Sequence, residues 1–173
     1  MAEDISIDEW VRNEGPRAVA YAMTLVRDSA VAEDEVQEAF VSLLRHRDRY
    51  DLARDGKKLL YTAVTNRCRN VIARRRGHES LGDDERDFAL QDRRVESPID
   101  AAVAHELSDR IAAALEALPE RQRAIVHLSS LGWGLSEVAD VVGVTPNNAG
   151  VLLHRARRAL AEALGPFLDE VKS

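Results

Sequence analysis

Residues 120–158 read ERQRAIVHLSSLGWGLSEVADVVGVTPNNAGVLLHRARR, and this stretch decides the fold. The spacing predicts a helix from about Glu120 to Leu131, stopped where Gly132 and Gly134 flank Trp133. A short helix follows around Leu135–Val142, and Gly143 to Pro146 makes the next turn. Thr145 is placed to cap a third helix, and Pro146 suits its first position because proline lacks the N–H that a first turn leaves unbonded. That helix is expected to reach about Leu164. Short helices joined by a glycine-containing turn form the pattern of a helix-turn-helix. Ala149, Leu153, Ala156 and Leu160 recur at helical spacing and should pack inward. Asn147, Asn148, Val151, His154, Arg155 and Arg158 are left on the opposite face, with donors and cations suited to base edges and phosphates.

Upstream of this unit, Ser97 and Pro98 signal a helix start, and Leu107, Ile111, Ala114, Leu115 and Leu118 continue a stripe to Pro119. Residues 77–97 carry no stripe and are rich in acids, so they read as a flexible acidic linker. The chain thus divides into 1–76, the linker 77–97, and 98–173.

The first part also reads as helices. Ser6 to Glu9 signal a short opening helix, interrupted at Gly15 and Pro16. From Pro16 onward Val19, Ala22, Met23 and Val26 form an amphipathic stripe that ends near Asp28 and Ser29. A helix over roughly 30–47 turns Val36, Ala39, Phe40 and Leu43 inward and leaves Asp34, Gln37, Glu38 and Val41 outside. Asp51 to Gly56 reads as a loop, and Lys57 and Lys58 open a third helix to about Arg76. Its buried stripe is Tyr61, Val64, Cys68, Val71 and Ile72. Opposite lie Asn66, Asn70 and Arg74, four residues apart, flanked by Arg67 and Arg69. Amides read base edges and arginines hold phosphates, so this face is a second candidate for nucleic acid.

Composition favours an all-helical fold, with 45% hydrophobic, 31% charged and only 5% aromatic residues. The net charge of −6 looks wrong for a nucleic-acid binder until it is followed along the chain. Residues 1–40 hold ten acids and three bases, 41–76 three acids and eleven bases, and 77–105 eight acids and three bases. One basic block therefore sits between two acidic ones, as suits a middle that faces phosphates and flanks that face something else. The single cysteine, Cys68, allows no internal disulfide and is expected in the core. No Cys/His cluster has metal-ligand spacing, so neither metal nor cofactor is expected. No run approaches the roughly 18 apolar residues of a membrane span, and the amino terminus lacks signal-peptide blocks, which predicts a cytoplasmic protein with no membrane insertion.

Together the strings AEDEVQEAF (32–40), LYTAVTNRCRNVIARRR (60–76), LPERQRAI (118–125), EVADVVG (137–143) and LHRARR (153–158) resemble a known family, the extracytoplasmic-function (ECF) sigma factors of the sigma-70 group. The resemblance covers about residues 16–76, as region 2, and 106–164, as region 4. It implies a factor that directs core RNA polymerase to promoters and helps open DNA, without catalysis of its own. It assigns Asp34, Gln37, Glu38 and Phe40 to the clamp helices of the largest catalytic subunit, and region 4 to the beta-subunit flap. Asn66 and Asn70 would read the minus-ten element, with Arg45, Arg47, Lys57, Lys58, Arg67, Arg74, Arg75 and Arg76 on its backbone. Asn147, Asn148, Val151, His154, Arg155 and Arg158 would meet the minus-thirty-five element. An anti-sigma factor is a further implied partner, and the linker would run through polymerase near the path of new RNA. The chain departs from the pattern at Glu35, usually apolar, Leu59, often tryptophan, and Asn70, commonly aspartate. Gly150 and Leu152 stand where lysine and arginine are usual.

Two other readings compete. A stand-alone helix-turn-helix regulator would account for residues 120–164 but leaves the amino-terminal half without a role. A nuclease using the acids of residues 33–38 is opposed by their spread over different helix faces and by the scatter of the five histidines.

Overall fold

The structure, a computed structural model, describes residues 6–78 and 98–171. The described residues form seven α-helices and a short 3-10 turn at Arg47–Arg49, with no strand. The helices are α1 (Ile7–Val26), α2 (Ser29–Arg45), α3 (Leu52–His78), α4 (Pro98–Glu116), α5 (Glu120–Ser130), α6 (Leu135–Val142) and α7 (Pro146–Val171). The acidic segment expected to be a linker lies outside the described residues from position 79 to 97.

Three local expectations are corrected. α1 is not broken at Gly15 and Pro16 but runs through them. Proline removes one N–H and crowds the preceding turn. Trp10 before it and Ala18, Tyr21 and Ala22 after it are all buried in one core, and that tertiary packing outweighs the local break. Asp51 to Gly56 is not a loop, because α3 already starts at Leu52 and the Asp51 side chain accepts from the Arg54 N–H at 3.1 Å. Gly56 serves close approach instead of a turn: a Cβ there would stand 3.3 Å from the Trp10 indole. α7 continues past Leu164 to Val171, and its extra turns bury Phe167, over whose ring the Arg110 guanidinium stacks at 4.6 Å.

Elsewhere the helical stripes lie largely where periodicity puts them, except that Ile111 of α4, expected inward, is exposed. Val36, Ala39, Phe40 and Leu43 of α2 are buried, as are Tyr61, Val64 and Cys68 of α3, while Val71 and Ile72 pack partly buried beside them. Helix α1 packs on α2 and α3, and the carboxy-terminal helices gather around α7. Asp28 opens α2 by accepting from the Val31 N–H at 3.2 Å.

The two halves share one core. Buried residues of α1–α3 and of α5–α7 form one continuous cluster. Tyr61 of α3 meets Trp133, in the turn before α6, at 5.1 Å between ring centroids, and Lys57 lies over the Trp133 ring at 5.3 Å. Tyr21 of α1 meets His127 of α5 at 5.5 Å. Polar contacts frame this seam: Arg69 Nε bonds Glu120 at 3.2 Å, and Arg123 Nε donates to the Thr24 carbonyl at 2.9 Å. Arg27 donates to the Glu116 carbonyl from the other side. Two separately solvated domains would leave Trp133 and Tyr61 apart, and burial of their apolar area is what closes them together.

Candidate nucleic-acid interface

The helix-turn-helix is set by its caps. Gly143 ends α6 in the left-handed region at φ 71°, where any other residue is strained. Two residues later Thr145 Oγ1 accepts the Asn148 N–H at 3.2 Å and fixes where α7 begins. Glu137 reaches back to the Gly134 N–H at 2.9 Å and fixes the start of α6. Val138, Ala139, Val141 and Val142 then bury α6 against α7, whose own Ala149 and Ala156 are fully inside.

This geometry leaves Asn147, Asn148, Val151, His154, Arg155 and Arg158 exposed along one side of α7, the set expected from the sequence. Arg158 is engaged by Glu162 at 2.8 Å, an exposed pair that phosphate can replace. Leu152 is not on this side; it is partly buried against the core. Gly150 lies under Leu135, whose Cδ2 would stand 3.5 Å from a Cβ there. Burial against the core accounts for the absence of a long basic chain at Leu152, whereas nothing in the structure explains Gly150, where a Cβ would make only ordinary contact.

Helix α3 presents a second polar face. Asn66, Asn70, Arg74 and Arg76 are exposed, and Arg74 Nε donates to the backbone carbonyl of Asn70 at 3.2 Å. The other expected cations are occupied within the chain. Arg67 pairs with Glu35 at 2.7 Å and lies 3.9 Å from Glu38. Arg75 bonds the Val26 carbonyl and Asp28, each at 3.1 Å. Hydrogen bonds from Val31 first, and then from Arg75, hold the Asp28 carboxyl below its usual range. Lys57 covers Trp133, and Lys58 bonds Asp140 at 2.5 Å.

On α2, Asp34, Gln37, Glu38 and Val41 are exposed on a common side, whereas Phe40 is buried, edge-on to Trp10 with centroids 5.1 Å apart. Glu35 is explained by its neighbour: a carboxylate half inside the α2–α3 groove is compensated by Arg67 from α3. Sequence reading missed the seam residues Trp133, Asp140, Glu120 and Arg123, since nothing local in their segments announces a partner some 50 to 100 positions away. The one available signal was Trp133 itself, a large apolar residue between two glycines in a supposed turn.

Among the described residues no group of His, Cys, Asp and Glu is arranged to hold a metal ion. No described helix is long and apolar enough to cross a membrane.

Comparison with known proteins covers both halves. Residues 10–78 match the family described as Sigma-70 region 2, and residues 108–160 match Sigma-70, region 4. The chain is 29% identical over 171 residues to RNA polymerase sigma factor CarQ of Myxococcus xanthus, covering 98% of this chain and 95% of that one. It is 33% identical to ECF RNA polymerase sigma factor SigF of Caulobacter vibrioides, covering 87% and 80% respectively. Among solved structures, the fold is similar to the sigma factor RpoE in complex with the anti-sigma factor NepR from Bartonella quintana, at TM-score 0.69 and 17% identity, covering 91% of this chain and 96% of that one. It is also similar to CnrH in complex with the cytosolic domain of CnrY, at TM-score 0.65 and 20% identity, covering 92% and 88%.

Proposed function

The chain belongs to the sigma-70 family, in its extracytoplasmic-function group, and is a sigma factor of transcription initiation; we propose that three of its faces divide that work. The face of Asp34, Gln37 and Glu38 on α2 docks on the clamp helices of the largest polymerase subunit, with Phe40 behind it as the apolar support of the helix. Asn66 and Asn70 on α3 read the minus-ten element as single strand, and Arg74 and Arg76 hold its backbone. The exposed side of α7 reads the minus-thirty-five element in the major groove. The first working domain runs to the end of α3 at His78, residues 98–173 form the second, and the segment between them tethers the two.

The observation that carries this reading is the pair of exposed amide-bearing faces on α3 and α7, in one chain whose halves match both regions in order. Lys57 and Lys58 already lie against Trp133 and Asp140, so minus-ten DNA and these seam contacts compete for the same two cations. Region 4 also contacts the beta-subunit flap. The two similar solved structures are sigma factors held by anti-sigma partners, which supports an anti-sigma factor as a partner here. The protein acts in the cytoplasm and catalyses no reaction itself.

Reconstituted transcription tests the reading. Core polymerase with this protein initiates from a subset of a random promoter library, and the subset shares an upstream and a downstream element. Binding to duplex DNA with equal selectivity in the absence of polymerase would favour the stand-alone regulator.

A further inference from the structure

The polar reading side of α7 has an apolar centre. Val151 is 41% exposed, with Asn147 and Asn148 one turn before it and His154 and Arg155 one turn after. A lone exposed valine ordinarily requires no explanation. This one has an apolar neighbour from another helix: Leu135 of α6, also 41% exposed, rests against Gly150 beside it. Gly150 and Leu152 contribute no cation here, the first lying under Leu135 and the second turned partly into the core. The middle of the helix therefore offers a base pair no charge and no hydrogen bond, while both ends offer donors.

In the major groove only thymine presents an apolar group, its C5-methyl, and apolar side chains are what recognise it. We propose that Val151, with Leu135 at its flank, reads a thymine methyl within the minus-thirty-five element, and that asparagines and arginines on either side fix the register. This rests on the assignment of α7 to that element. Val151 is the specificity residue of the pair, and Leu135, exposed beside Gly150, widens the apolar patch around it. Valine is stiff at its first side-chain torsion, and an unbranched chain would not be held in this way.

The test uses holoenzyme assembled from core polymerase and the full chain. An upstream element is selected from randomised duplexes, and each of its thymines is then replaced singly by deoxyuridine, which deletes only the methyl. The expected result is one thymine whose replacement weakens binding on the order of three- to fivefold, the worth of about one buried methyl-sized group. The same replacement has no effect on the Val151→Ala holoenzyme, whose exposed helical position accepts alanine without loss of fold. If no thymine is sensitive, or if the sensitivity survives in Val151→Ala, the proposal is overturned. Asn148→Ala, run in parallel, separates the two levels. Relaxed preference with Asn148→Ala but no methyl effect overturns methyl reading alone, whereas no change with either variant removes α7 from promoter reading altogether.

Discussion

Lys58 and Asp140 stand 82 positions apart in the chain and 2.5 Å apart in space, joining the basic helix α3 to the helix-turn-helix. Both side chains are largely solvated, at 44% and 57% exposure, so the pair itself contributes little. The seam is held instead by the adjacent stack of Tyr61 on Trp133. Trp133→Ala is expected to weaken closure by about 2 kcal/mol through lost aromatic burial, and Asp140→Asn far less. Small-angle scattering should then show an expanded chain for the first and an unchanged one for the second.

Protonation of His127 opposes the fold. Burial beside Tyr21 holds its imidazole below the ordinary value of 6.5, so the folded chain prefers the neutral ring. A group with a depressed cationic form contributes fully above its unfolded pKa, and the contribution is lost as pH falls below it. Melting temperature should therefore fall as pH drops from neutral to the acid side of 6.5, beyond what carboxylates contribute. His127→Phe keeps a ring against Tyr21 and should flatten that pH dependence.

The polymerase docking proposed for α2 should be separable from stability. Asp34 and Glu38 are exposed, and Glu38 lies 3.9 Å from an Arg67 that Glu35 already holds at 2.7 Å. Reversing Asp34 and Glu38 to lysine together should abolish co-purification with core polymerase and leave the circular-dichroism signal intact. Retained binding would remove this face from the docking site. Glu35→Lys, by contrast, sets two cations in one groove and should lower thermal stability.

Base reading on α3 should depend on Asn66 and Asn70. Alanine at either is expected to cost about 1–3 kcal/mol of discrimination at particular bases, measured with single-stranded minus-ten oligonucleotides and holoenzyme. Arg76→Ala should weaken all sequences alike. Arg75→Ala should act chiefly on stability, because its guanidinium ties α3 to the Val26 carbonyl and to Asp28, the cap of α2.

Cys68 offers an internal reporter. It is fully buried, and desolvation pushes its thiol up to about 12, so little thiolate forms at neutral pH. Labelling by a disulfide reagent should be slow in the native chain and should accelerate in parallel with unfolding of α3. Fast labelling at native stability would show that α3 opens locally.

Much of this protein is written in periodicity alone. Stripes at three- and four-residue spacing determined which sides of α2, α3 and α7 go inward, because burying an apolar face is a property of each helix by itself. The caps at Thr145 and Gly143 located the helix-turn-helix for the same reason, since a cap bonds within a few residues of its own position. The sequence likewise placed Asn66, Asn70 and the reading side of α7 outside. It did not determine that α1 runs through Pro16 or that Gly56 lies inside a helix, because both depend on the Trp10 indole and a core assembled from distant segments. Nor did it determine which cations stay outward. Arg67, Arg75, Lys57 and Lys58 look alike in a basic block, and only the tertiary fold brings Glu35, Asp28, Trp133 and Asp140 against them. Partners at such separations leave no local pattern, since the attraction acts through space between residues that only the packed apolar faces bring together.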